Sequence, residues 1–263
     1  MNLQITHIDT ACLLIDINGY KILTDPTLDR AGSLYYHGFG AFSRKTGNPS
    51  IPHRLLEDID LILLSHHQHY DNFDRAGQAF ARKAKKILST VPASKAIPGT
   101  VGLENWQSVE LPTEKVTNLR ITATPAQHRP WWIPELVSGK VIGFVIEYDE
   151  QENGVLYISG DTVFFKGIEE VASRYQVDIG IFSVGSVQFR YLTGCAKYTM
   201  DADDLIRASK TLRPNKIIPV HSQGWSHFKE SEAVLMTTLF SEDYTRNRTV
   251  FLNPGEPTTL FSL

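Results

Sequence analysis

Apolar and polar positions along this chain fall into short β-type runs separated by turn residues and a few helical stretches. Ala11–Ile17 and Tyr20–Thr24 are two β-rich runs joined by Asn18-Gly19. Both turn residues tolerate positive φ, so the spacing predicts a hairpin closed by a type I′ turn. Leu61–Ser65 reads as a buried strand. Further strands are predicted at Leu119–Thr124, Val141–Tyr148, Val155–Ser159, Ile179–Val184 and Lys216–Val220. Asp74–Lys86 has an Ala-rich composition with basic residues near its end, which suits a helix and its dipole. Helices are also expected over Ile168–Tyr175, over Glu230–Phe240, and over Asp201–Leu212 with Thr199 as N-cap and Pro214 just beyond. Strands dominate the first half and alternate with helices in the second. That order predicts an α/β (α+β) architecture of two sheets with helices packed outside them. No repeat, low-complexity segment or linker divides the chain, so one domain over residues 1–263 is expected.

Composition narrows the picture only slightly. With 42% hydrophobic and 21% charged residues, the chain can bury an ordinary globular core. A net charge of −3, with no strongly basic run in either half, speaks against coating nucleic acid or anionic membrane. The N-terminal residues lack the pattern of a signal peptide, and no apolar run reaches the roughly 18–20 residues of a membrane helix. Cys12 and Cys195 are far apart and are expected to be buried thiols rather than a disulfide. The expectation is a cytoplasmic protein acting on a small molecule, without nucleic acid or membrane as partner.

The chemistry gathers in four places. "SHHQHYDN" (65–72), "TPAQH" (124–128), "ISGD" (158–161) and "IIPVH" (217–221) each place metal-ligand residue types at the end of a β-type run. Strand ends hold side chains rigidly, as a metal site requires. Imidazole nitrogen and carboxylate oxygen are the donors expected for zinc, manganese or iron. A catalytic zinc takes about three protein ligands, and this chain offers more, enough for a metal pair.

The order H-x-H-x-D, a distant His, a Gly-Asp after a strand and a late His, together with "ILTDP" in the hairpin, resembles the metallo-β-lactamase superfamily. The likeness is to its small metal-dependent hydrolases, which include sugar-phosphate lactonases and phospholipid phosphodiesterases. It spans nearly the whole chain. It implies a four-layer αβ/βα sandwich with one or two divalent ions, zinc first and manganese or iron as alternatives, at one edge between the sheets. Carried over by position, it implies His67, His69 and His128 on a first metal, Asp71 and His221 on a second, and Asp161 bridging. It further implies a metal-bound hydroxide that cleaves an ester, lactone or phosphodiester bond.

Two departures stand out. Ser65 precedes His66, whereas counting back from Asp71 selects His67, so the segment is one residue longer than the common pattern. His66 and His67 both remain candidates. His67 is preferred because an extended His67, His69, Asp71 alternation points one way. Asn72 stands where the family usually has His, which implies a weaker second position, a harder metal there, or an orienting hydrogen bond from Asn72 instead.

Other residues are weighed against structural roles. Asp71 and His227 are the candidate proton carriers. Asp25 is a candidate for the layer behind the ligands. Trp131, Trp132, Arg129 and Arg190 are candidate substrate contacts, the arginines because guanidinium matches phosphate. His7, His37 and His53 read as structural. The alternative function is a metal-binding domain with a degenerate second position and little catalysis. A di-iron oxygen-reducing protein is disfavoured, because Gln68 and Tyr70 supply no Glu within the first motif. A serine hydrolase lacks its G-x-S-x-G.

Overall fold

Both residues of the Asn18-Gly19 turn have positive φ, 50° and 87°, in the computed structural model, which describes residues 2–261. The turn follows β1 (Leu3–Asp9) and joins β2 (Cys12–Ile17) to β3 (Tyr20–Thr24), with Ile17 paired to Tyr20 as predicted. A separate hairpin of β4 (Leu34–Gly38) and β5 (Ala41–Arg44) comes next. Then follow β6 (Leu61–Leu63), α1 (Arg75–Ala81), β7 (Ile87–Thr90), α2 (Val91–Ala96), β8 (Thr100–Leu103), β9 (Ser108–Glu110) and β10 (Arg120–Pro125). The second half runs α3 (Glu135–Ser138), β11 (Ile142–Glu147), β12 (Val155–Ile158), α4 (Lys166–Arg174), β13 (Val177–Ser183), α5 (Arg190–Thr193) and α6 (Ala202–Leu212). It closes with β14 (Lys216–Val220), α7 (Glu232–Ser241), α8 (Asp243–Arg246) and β15 (Thr258–Phe261).

The strands make a seven-stranded sheet, β15-β1-β2-β3-β6-β7-β8, and a six-stranded sheet, β14-β13-β12-β11-β10-β9. Period-two patterning builds the layers. Ile142, Phe144 and Ile146 of β11 face the apolar slab between the sheets, with Leu3, Ile5, Ile15 and Leu63 opposite. Val145, between them in sequence, faces outward onto α4, α6 and α7 through Ile168, Leu205 and Leu235. On the far side, Phe73 and Ala81 pack α1 and the loop before it against Leu23 and Ile62. The result is the expected αβ/βα sandwich. Among the described residues no helix is long and apolar enough to cross a membrane.

Several expectations need correction. The helix predicted over 74–86 ends at Ala81, because the chain must turn back to lay β7 beside β6. Its start stands: Asp74 caps it by accepting from Gly77 N at 2.8 Å. Thr199 does not cap α6. Its hydroxyl donates to Val184 O and accepts from Val187 N, both at 3.0 Å, and Asp201 accepts from Asp204 N instead. Cys12 is buried but Cys195 is exposed. Strands β1, β4, β5, β7 to β9 and β15 are additional to those the sequence pattern predicts.

Gly77 marks where α1 touches the first sheet's loops. A Cβ there would lie 1.8 Å from Pro26 O, an atom of backbone that cannot step aside. Gly77→Ala should therefore destabilise the fold by about 1–3 kcal/mol or more. Urea unfolding would check this, and a midpoint unchanged from wild type would contradict the close approach.

Candidate metal centre

Strand direction explains why four distant segments meet. β10 and β12 each run antiparallel to β11, and β13 and β14 run parallel to β12. The C-terminal ends of β10, β12 and β14 therefore share one edge, and they carry His128, Asp161 and His221. The end of β6 arrives from the other sheet with residues 65–72. Two bonds tie the sheets together there: Ile142 N donates to Ser65 O at 3.1 Å and His221 N to Thr10 O at 2.9 Å.

Two ligand groups result. Each has its donor atoms within 4.8 Å of one another: His66, His69 and His128 in one, Asp71, Asp161 and His221 in the other. In the first, His69 Nδ1 lies 3.1 Å from His66 Nε2 and 3.2 Å from His128 Nε2. His128 spends its ring proton at Nδ1 on Tyr198 O, at 2.9 Å, so its Nε2 presents a lone pair. One proton on His69 cannot satisfy both neighbours, whereas a cation among three lone pairs satisfies all of them. In the second group, Asp71 Oδ1, Asp161 Oδ2 and His221 Nε2 are buried without a hydrogen-bond partner among the described residues. His221 Nε2 sits 3.5 Å from both Asp71 Oδ2 and Asp161 Oδ2. Buried polar atoms are rarely left unpaired, so this donor set fits a divalent ion. His221 also has φ of 62°, a left-handed conformation that a non-glycine residue adopts at a cost.

His66, not His67, joins the first group. The extended alternation assumed for 67, 69 and 71 does not form, because β6 ends at Leu63 and the chain bends at residues 65, 67 and 68. Gln68 holds that bend by donating to Ser138 O and Lys140 O, at 2.9 and 3.3 Å. Its side chain lies against Gly139, where an added Cβ would come within 2.4 Å of Nε2. His67 is left half-buried at the side of a shallow cleft with Gln68 and Pro92.

Around these groups, His227 Nε2 lies 2.9 Å from Asp71 Oδ2, and Asn72 Nδ2 donates to Asp161 Oδ1 at 3.4 Å. Asp25 accepts from Ser65 N at 2.7 Å behind the ligands, and burial, then the nearby Asp161, pushes its carboxyl up to about 8. His37, read as structural from sequence, lies over the centre with Nδ1 3.9 Å from Asp71 Oδ1. Only the β4–β5 hairpin brings it there, and nothing in the local sequence signals it. The four candidate substrate contacts stay outside. Trp131 and Trp132 are 84% and 54% exposed. Arg129 donates to Ile133 O at 2.7 Å and Arg190 to Gln188 Oε1 at 3.1 Å. None of the four lines the cavity above the centre.

Burial drives the histidines of the first group below their ordinary value, with neighbouring imidazoles adding to the effect at His66 and His69. Burial also lowers His221, but Asp161 and Asp71 outweigh it and carry the ring up to about 9. The lowered groups bind fewer protons folded than unfolded, so their stabilisation is lost as pH falls below about 6.5. The contribution of His221 is complete below that pH and is lost as pH rises through about 9. Asp25, held up to about 8, gains stability over the same fall in pH, but the lowered histidines outnumber it, so the metal-free protein should melt at lower temperature at pH 5 than at pH 7 by about a few degrees. Calorimetry at the two values checks it, and an unchanged or higher Tm at pH 5 would contradict the assignment of buried neutral histidines.

Residues 4–221 match the family described as Beta-lactamase superfamily domain. A UPF0173 metal-dependent hydrolase from Pyrobaculum neutrophilum is 22% identical over 261 residues, covering 97% of this chain and 98% of that one. Among solved structures, a possible metal-dependent hydrolase from Veillonella parvula has a TM-score of 0.82 at 20% identity, covering 99% of this chain and 100% of the other. The isothiocyanate hydrolase from Delia radicum gut bacteria has a TM-score of 0.76 at 22% identity, covering 97% and 98%. At these identities the structures bear on the fold.

Proposed function

The chain is a metal-dependent hydrolase belonging to the family described as Beta-lactamase superfamily domain, and we propose that its two ligand groups hold two divalent ions that serve the cleavage of a small-molecule ester, lactone or related bond. The observation that carries this reading is the pair of adjacent buried groups, three imidazoles whose nitrogens converge on one another beside two carboxylates and an imidazole that keep unpaired donor atoms. His66, His69 and His128 would hold the first ion. Asp71, Asp161 and His221 would hold the second, and Asp161 is the residue that would bridge the two. Bound ions supply Lewis acidity, which lowers the pKa of a captured water and stabilises negative charge on the attacked group.

The chain's own residues do the rest. Asp71 is held in its charged form: burial opposes this, but contacts with His221 and His227 prevail. His227 and Asp71 form a buried pair through which a proton can move toward a leaving group. His37 stands over the same carboxylate and faces the substrate cavity. The second position has the harder donors, which suits zinc or manganese, and Asn72 offers only a weak carboxamide nearby. The isothiocyanate hydrolase adds its own electrophile, a cumulated carbon, to the bonds worth testing.

The decisive experiment is elemental analysis of protein purified without added metal or chelator, followed by hydrolysis assays on esters, lactones, phosphodiesters and isothiocyanates. Two ions per chain with turnover supports the reading. One ion that rises to two on manganese titration supports a weak second position at Asn72. Metal binding without turnover of any substrate class would favour a binding protein with little catalysis. No metal and no uptake would end the catalytic reading.

A further inference from the structure

The cavity above the two ligand groups has a volume of about 260 Å³. Its floor is His37, His69, Asp71 and His128, and its walls are apolar: Phe39, Ala41, Val137, Val187, Phe189 and Leu192. Ser138, Thr193 and Tyr198 add uncharged polar atoms, and no Lys, Arg or Glu is among the lining residues. The apolar character continues to the rim, where Phe39 and Leu192 are 62% and 45% exposed. The two guanidiniums nearest in sequence are turned onto Ile133 O and Gln188 Oε1.

These walls choose between substrates. A group entering the cavity sheds its water. An apolar group gains from that loss, at roughly 25 cal/mol for each Å² buried. A second charge on the substrate, away from the bond held at the ions, would lose hydration and find no countercharge from the chain. The volume lies just under the roughly 300–1,000 Å³ typical of pockets for drug-sized ligands, which favours a compact group. We infer that this site takes an uncharged substrate whose electrophilic carbon carries a compact apolar substituent, an aryl ring or a short alkyl chain. The inference rests on the hydrolase reading above and narrows it. Sugar phosphates and phosphodiesters, which the sequence leaves open, are disfavoured.

Hydroxamates test this without turnover, because the metal-binding head stays constant while the tail varies. Zinc-loaded protein would be titrated calorimetrically with acetohydroxamate, benzohydroxamate and 4-carboxybenzohydroxamate. Benzohydroxamate should bind at least about tenfold more tightly than either of the others. Leu192→Arg, at the half-exposed rim, should keep its metal and shrink the preference for phenyl over carboxyphenyl at least about threefold. Equal affinities for all three, or tighter binding of the carboxylated compound, would overturn the inference while leaving the metal centre intact. No binding of any hydroxamate to metal-loaded protein would instead mean that the bound metal offers no open position, which removes the hydrolase reading and this inference with it.

Discussion

Alanine at His66 should empty the three-imidazole position, and alanine at His67 should leave it filled. His66 Nε2 lies 3.1 Å from His69 Nδ1 within the first ligand group, and its Nδ1 is 2.9 Å from Ser65 Oγ, a partner that fixes the ring. His67 belongs to neither group. Residues that merely orient ligands are worth about 10–100-fold in metal affinity. Loss of a ligand should therefore cost at least about a hundredfold, and His67→Ala should change affinity by about twofold or less. Zinc titration against a competing chelator reads both variants on one scale. If His67→Ala loses its metal while His66→Ala keeps it, the bend at residues 65–68 is wrong and the extended register is right.

Asp161→Ala should remove most activity and most of the second metal while leaving the metal-free fold intact. The carboxylate is fully buried. It lies 3.5 Å from His221 Nε2 in its own group and 3.9 Å from Nδ1 of the neighbouring His128 ring. Without it the second position keeps one carboxylate and one imidazole. Metal stabilisation of transition-state charge is worth several kcal/mol. Turnover should accordingly fall by at least about a thousandfold. The metal-free variant should still fold, because the lost attraction to His221, whose ring Asp161 helps carry up to about 9, is offset in part by relief of repulsion with Asp25. A variant with full metal content and activity would sink the bridging role. A large loss of apo stability would mean that Asp161 is structural first.

Legibility followed from how local each feature is. Strands that are apolar and buried along nearly their whole length, such as Ile142–Glu147 and Val177–Ser183, declared themselves. So did the Asn18-Gly19 turn, whose positive φ values are a property of two adjacent residues. β15 has only four residues, Thr-Thr-Leu-Phe, and β9 only three, so their pairing comes from neighbours rather than from pattern. β4 and β5 pair outside both main sheets, and with them went the placement of His37.

The same division runs through the centre. Residue type and position at strand ends marked His69, Asp71, His128, Asp161 and His221, because strand direction brings such ends to one edge whatever the loops do. The choice between His66 and His67 depended on a bend held by Gln68 reaching to Ser138 and Lys140, about 70 residues away in sequence. Arg129 and Arg190 have the chemistry to grip an anion, but their partners are carbonyl and amide oxygens supplied by nearby folded chain. Ligand chemistry is carried by side chains that sequence names outright. Which of those side chains turns inward, and what surrounds the substrate, is set by long-range packing, and that exists only once the chain is folded.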